Sequence, residues 1–221
     1  MHSIDRPKGA RLALQAAEAD TAHSILSAAR ARLLIDGYAG LSTRKIAQEA
    51  GVPLSQVHYH FGSKRGMVLA LLETENRRRL ARQSSMYAQD MPLSRRYEQA
   101  CDFLEDDLES GFVRVLQEMI AAGWSEPDIA EQARSTLTGW YELLTDVATE
   151  AADQLGGLGP FTPREVATLI GNLFIGSEAM LLLGFDRQKL PIRSSLRRVG
   201  DLIRMAEERA AKPRPTQRRR S

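Results

Sequence analysis

The sequence predicts an all-α chain in which an amino-terminal three-helix domain containing a helix-turn-helix precedes a larger helical domain. Three observations lead there. Apolar residues recur at intervals of three and four along most of the chain, and no stretch sustains the period-two alternation of a half-buried strand. Glycine and proline fall where such helices would end, at Gly37, Gly51-Val52-Pro53, Met91-Pro92, Gly111, Pro127, Gly156-Gly157, Pro160, Pro163 and Pro191.

Residues 1–19 lack a helix-start signal and read as a mobile arm, with at most a frayed turn or two over Arg11–Ala19. Arg6, Lys8 and Arg11 of that arm suit phosphates or a groove. Helix one starts near Thr21, buries Ile25, Ala28, Ala29, Leu33 and Leu34, and closes at Gly37 in the left-handed conformation a helix end favours. Helix two covers Thr43–Ala50, with Ser42 placed to cap it and Ile46, Ala47 and Ala50 on its apolar face. After the Gly51-Val52-Pro53 break, helix three runs over Leu54–His60, with Val57 and Phe61 one turn apart and Pro53 suited to its first turn. Ser63 is placed to cap a fourth helix that carries Met67, Leu71 and Leu80 through the basic stretch Arg77–Arg82. Further helices are expected at 93–109, 112–123, 127–155, 163–183 and 193–210. The domain reading is therefore an arm at 1–19, a helix-turn-helix domain at 20–62, a linking helix at 63–83, a helical domain at 84–210 and a disordered basic tail at 211–221.

The formal charge of +2 hides a division. Residues 1–82 hold 13 Lys+Arg against 7 Asp+Glu, residues 83–192 hold 7 against 18, and residues 193–221 hold 10 against 3. A basic front and an acidic middle suit different partners. The single cysteine, Cys101, allows no internal disulfide, and the start of the chain shows no secretory leader, so a reducing cytoplasm is the expected location. Val166–Gly184 is apolar and long enough for a bilayer, but Asn172, Ser177 and Glu178 interrupt it, which favours a buried interface helix.

Enzymatic chemistry finds little support. All four histidines lie within the first 60 residues, and His58 and His60 are two apart on a helix, so they do not face one another. No metal-ligand spacing is visible, no cofactor is called for, Cys101 reads as a buried apolar residue, and Glu105-Asp106-Asp107-Glu109 reads as a solvated helical face.

The helix-turn-helix is the segment with chemistry to offer. With Val57 and Phe61 turned inward, 100° per residue places Ser55 and Tyr59 nearly opposite the core, Gln56 on a shoulder, and His58 and His60 on the flanks. Hydroxyls and imidazoles suit phosphates, glutamine pairs with adenine, and tyrosine stacks or touches a thymine methyl. Acidic side chains are absent from Gly51 to Ala70. At the start of helix two, Thr43 and Arg44 stand beside backbone N–H groups that attract phosphate, and a guanidinium there can fork onto guanine.

The run Leu41-Ser42-Thr43-Arg44-Lys45-Ile46-Ala47-Gln48-Glu49-Ala50-Gly51-Val52, followed by His58-Tyr59-His60-Phe61-Gly62-Ser63-Lys64, resembles the tetracycline-repressor (TetR) family over roughly residues 21–72. Gly37-Tyr38 matches the glycine-aromatic step that ends the family's first helix. The resemblance implies three DNA-binding helices, a linking helix and a variable carboxy-terminal domain that binds ligand and dimerises. It places DNA contacts at Thr43, Arg44, Leu54, Ser55, Gln56, His58, Tyr59 and His60, with Lys64 on a phosphate. Pro53 and His58 depart from the common pattern, where a small capping residue and an aromatic are usual.

From the same resemblance, the dimer interface is expected on the last two long helices, through Ala167, Gly171, Ile175 and Ala179 on one and Leu196, Val199, Leu202 and Ile203 on the other. An effector pocket is expected within 93–183, with Phe103, Phe112, Met119, Trp124, Trp140, Leu144 and Phe174 as candidate lining, and the apolar lining points to a hydrophobic or aromatic effector. The expected partners are double-stranded operator DNA, a second copy of the chain and a small-molecule effector, with no membrane. The expected function is that of a ligand-responsive repressor. The competing reading is a helical adaptor that binds other proteins through the acidic middle.

Overall fold

The computed structural model describes residues 8–185 and 189–212, with side chains from Gln15 onward. The described residues form nine helices and no strand: α1 Lys8–Gly40, α2 Thr43–Glu49, α3 Leu54–Phe61, α4 Lys64–Tyr87, α5 Leu93–Glu109, α6 Phe112–Gly123, α7 Pro127–Leu155, α8 Pro163–Leu182 and α9 Ile192–Ala210. Helix ends fall where the glycines and prolines predict. Gly37 takes φ +67° and interrupts α1 there, and the Ser63 hydroxyl accepts the Gly66 N–H at 3.0 Å. Thr162 and Glu165 form a reciprocal capping box at the start of α8.

Three local expectations are corrected. Helix α1 begins at Lys8, so residues 8–19 are helical rather than an arm; the Ala-rich Arg11–Ala19 segment has the propensity to extend a helix whose later turns are anchored by packing. Arg6, the side chains of Lys8 and Arg11, and residues 213–221 of the tail lie outside the described residues. Ser42 occupies the N-cap of α2 in an extended conformation, but its side chain makes no capping hydrogen bond. Pro53 is the N-cap of α3, one position before the first turn.

The chain divides into two compact units. One comprises residues up to Asn76 with Arg114–Ala133, the other Arg77–Val113 with Arg134 onward, so α4, α6 and α7 each contribute to both. In the first unit Ile25, Ala28, Ala29 and Leu33 of α1 lie on one stripe and are buried with Ile46 and Ala47 of α2, Val57 of α3, and Met67, Val68, Leu71 and Leu72 of α4. Leu116, Met119 and Ile129 are buried here too. The Tyr38 N–H donates to Glu118 Oε2 at 3.0 Å, which ties the end of α1 to α6.

In the second unit Tyr97, Cys101 and Leu104 of α5, Trp140 and Leu144 of α7, Ala167 and Phe174 of α8, and Ile192 and Leu196 of α9 form the core. Acidic α5 and basic α9 also pair outside that core, through Glu105–Arg193 and Asp102–Arg197, both at 2.7 Å. The acidic run is therefore only partly a solvated face: Asp106 and Glu109 are exposed, but Asp107 is buried against Arg79 and Arg82. Cys101 is buried as expected, and burial pushes its thiol up to about 11. Helix α8 is long and apolar enough to cross a membrane by length and composition, yet its Glu178 is fully buried beside Arg79.

Candidate nucleic-acid interface

Helix α3 is short, and Val57 is its one fully packed side chain, so most of its circumference is left to solvent. Ser55, Gln56, His58 and Tyr59 are exposed, with Tyr59 at 71%, while Leu54, His60 and Phe61 are half-buried. The angular assignment made from periodicity is the one the fold realises. His60 packs between Tyr59 and Phe61, with ring centroids 5.1 and 6.0 Å away. His58 Nδ1 lies 3.0 Å from the Gly62 carbonyl, which can only accept, so the ring nitrogen donates there. Tyr59, Gln56, His60 and Pro53 also line a cleft of about 460 Å³ with Ala17, Glu18 and Thr21 of α1. Glu18 is a carboxylate that inspection of residues 51–70 alone does not reveal.

On α2 two neighbouring cations are treated differently. Lys45 Nζ lies 3.5 Å from Asp36 Oδ2, a carboxylate that also receives Arg32. Exposed Arg44 makes no ion pair among the described residues, so its guanidinium is unengaged; Thr43 beside it is half-buried. Lys64, half-buried at the start of α4, sits 4.6 Å above the Tyr38 ring and donates to the Ala39 carbonyl at 3.4 Å. Burial, reinforced by hydrogen bonding to Glu126, pushes the Tyr38 hydroxyl up to about 12, so a neutral ring lies beneath the ammonium. The glycine-aromatic step thereby holds Lys64 in place, a role the sequence did not reveal.

The effector candidates separate. Trp140, Leu144 and Phe174 meet around an enclosed cavity in the second unit, together with Arg79, Gln83, Tyr87, Ala100 and Leu104. Its volume, about 10 Å³, accommodates roughly one water. Phe112 and Phe103 face the guanidinium groups of Arg79 and Arg82 instead. Met119 belongs to the core of the first unit, and Trp124, past the end of α6, is 83% exposed, so neither lines this cavity. The polar members Arg79 and Gln83 escaped a reading that sought only apolar lining.

The dimer candidates fall on different sides of their helices. Ala167 and Gly171 face inward, and a Cβ at Gly171 would stand 2.2 Å from Tyr141 Cε1: the small residues admit the unit's own α7. Ile175 and Ala179 are half-buried, and Leu196, Val199 and Ile203 pack on the core. Leu202 alone of the eight stands exposed, at 64%, together with Met205 of α9 and Leu169 and Leu173 of α8, which periodicity did not single out.

Comparison with known proteins follows this geometry. Residues 25–71 match the family model for bacterial regulatory proteins of the tetR family, a span that covers α2, α3 and most of the Ile25–Leu71 packing described above. No curated protein matches the chain. Among solved structures, a TetR-family transcriptional regulator from Agrobacterium tumefaciens is similar with a TM-score of 0.72 at 18% identity, over 85% of this chain and 98% of that one. A TetR transcription regulator from Haloarcula marismortui gives 0.70 at 19%, over 85% and 98%. The regulator FadR of Bacillus subtilis, solved in complex with stearoyl-CoA, gives 0.67 at 17%, over 82% and 96%. At these identities the likeness is one of fold. Residues 25–71 thus carry the amino-terminal domain of the tetR family of bacterial regulatory proteins, and the fold of the chain is like that of solved TetR-family regulators.

Proposed function

We propose that this protein is a sequence-specific, ligand-responsive transcriptional regulator, a repressor that leaves its operator when a small hydrophobic or aromatic effector binds. The observation that carries the DNA half of the reading is the exposed face of α3, where Ser55, Gln56, His58 and Tyr59 stand clear of the core, together with exposed Arg44 on α2, which makes no ion pair among the described residues. Glutamine and arginine there supply forked hydrogen bonds for adenine and guanine, Tyr59 an apolar edge, and Thr43 and Lys64 hold the backbone.

A helix of eight residues reads only a few base pairs, so a second copy is needed to present two such helices to successive major grooves. The apolar face of Leu169, Leu173, Leu202 and Met205 on the adjoining helices α8 and α9 suits that contact. The effector half rests on the enclosed Trp140, Leu144 and Phe174 cavity. An effector that prefers a conformation with misplaced reading heads weakens DNA binding by the factor that DNA weakens effector binding.

The test is binding to the DNA upstream of the protein's own gene at several salt concentrations, with light scattering on the same sample. Steep weakening with salt by a dimer is the expected result. Absence of binding at low salt overturns the regulator reading in favour of a helical adaptor, and a monomer at micromolar concentration overturns the dimer.

A further inference from the structure

A cleft of the second unit lies between α7 and α8, open to solvent and about 390 Å³ in volume, within the range of small-molecule sites. Thr138, Tyr141, Glu142 and Thr145 recur at intervals of three and four, so they share one stripe of α7, and Arg164 and Thr168 stand one turn apart on the α8 wall. Most of the hydroxyl protons are already committed. Thr145 donates to the Tyr141 carbonyl and Thr168 to the Arg164 carbonyl, both at 2.7 Å, and the Tyr141 hydroxyl donates to Asn172 Oδ1 at 2.6 Å. A hydroxyl has one proton, so these three oxygens are left to the cleft as acceptors. Glu142 and Arg164 are both exposed, and neither makes an ion pair among the described residues, even with the other.

We infer that this cleft is a binding site for a small zwitterion, an α-amino acid whose ammonium meets Glu142 and the hydroxyl oxygens and whose carboxylate meets Arg164. Donor accounting selects the class. An ammonium carries three N–H donors and accepts nothing, which matches a wall that offers a carboxylate and hydroxyl oxygens. A guanidinium is a fork of donors, which matches a carboxylate. An anion alone would face Glu142 and bring no donor for the oxygens, and a cation alone would leave Arg164 unengaged beside it. A neutral polyol would use neither charge. Tyr141, the aromatic residue of the lining, suits an aromatic side chain on the occupant. The cleft is separate from the Trp140 cavity, and the inference does not rest on the regulator reading.

The probes are L-phenylalanine, 3-phenylpropionate, which lacks its ammonium, and 2-phenylethylammonium, which lacks its carboxylate, each titrated calorimetrically into the full chain without DNA. L-Phenylalanine is expected to bind about tenfold or more tighter than either analogue, the worth of one hydrogen bond to a charged group. Arg164→Ala should remove that advantage and leave the affinity for 2-phenylethylammonium unchanged. Glu142→Gln should remove it as well and leave the affinity for 3-phenylpropionate unchanged. Both side chains are exposed and outside the core, so the variants should melt with the wild type. An analogue that binds as tightly as L-phenylalanine, a loss in only one of the two variants, or no binding of any probe overturns the inference. Because no DNA is present, these outcomes leave the regulator reading standing, and failure to bind operator DNA leaves this site standing.

Discussion

Arg44 and Arg79 show the two ways this chain uses a guanidinium. Arg44, on α2 of the first unit, is exposed and has no ion pair among the described residues; Arg79, in the second unit, is enclosed by Asp107, Glu178, Phe112 and Trp140. A charge left in water without a partner costs little to keep and is ready to engage phosphate or a base edge. A charge taken out of water is tolerable only with its counter-charges in place, and it becomes part of the packing. The first unit therefore keeps its proposed recognition groups outside a plain apolar core, while the second builds polar chemistry into its interior.

The sharpest way to break that contrast is to remove the outward groups. Arg44→Ala and Tyr59→Ala should each abolish specific operator binding, a loss on the order of 100-fold or more in a dimer that makes each contact twice, at about 1–3 kcal/mol per base contact. Helicity and dimerisation should be unchanged, because neither side chain is part of the core. Full operator affinity in either variant, measured by fluorescence anisotropy, would move the reading surface elsewhere.

Removing the inward group should cost folding instead. Arg79→Met leaves Glu178 fully buried beside a neutral side chain, and breaking such a pair destabilises by about 3–5 kcal/mol. Urea titration should show that loss, and the double variant Arg79→Met with Glu178→Met should recover much of it, since Arg82 still balances Asp107. A double variant as unstable as the single would mean that packing rather than charge dominates at this site.

A smaller effect is expected where two helices meet closely. Gly171→Ala places a methyl 2.2 Å from the Tyr141 ring edge, and the overpacking should cost about 1–3 kcal/mol as well as the 2.6 Å bond from the Tyr141 hydroxyl to Asn172 Oδ1. An unchanged denaturation midpoint would show that Tyr141 can turn aside freely.

The helices were legible almost throughout, because the glycines and prolines that end them leave strong local signals. The exposed face of α3 was legible too, since one packed valine in a short helix fixes which way the others point. The second unit was less so. The Arg79–Glu178 pair joins residues 99 apart, and local periodicity carries no information about such a meeting. At Gly171 a helix does approach closely, through Tyr141 of the same unit, but a stripe of small residues does not say whose helix approaches. Trp124 was grouped with the pocket by composition, which is silent on direction, and at the end of α6 it points outward.

The finest distinction lies within one turn of α2. Lys45 carries the same charge as Arg44, yet it leans to Asp36, whose carboxyl is held below the usual carboxylate range chiefly by hydrogen bonding to Arg32 and further by the charges of Arg32 and Lys45. Lys45→Ala should therefore weaken operator binding by no more than about fivefold, within the ~1 kcal/mol of an exposed ion pair. Asp36→Asn should do the reverse, freeing Lys45 to meet phosphate, tightening binding and steepening the salt dependence by up to about one unit of slope. Because Asp36 is already ionised there, that gain should be the same from about pH 6 to 8. If Lys45→Ala instead matched Arg44→Ala in loss, the pair with Asp36 would be no restraint, and the first unit's reading surface would include both cations.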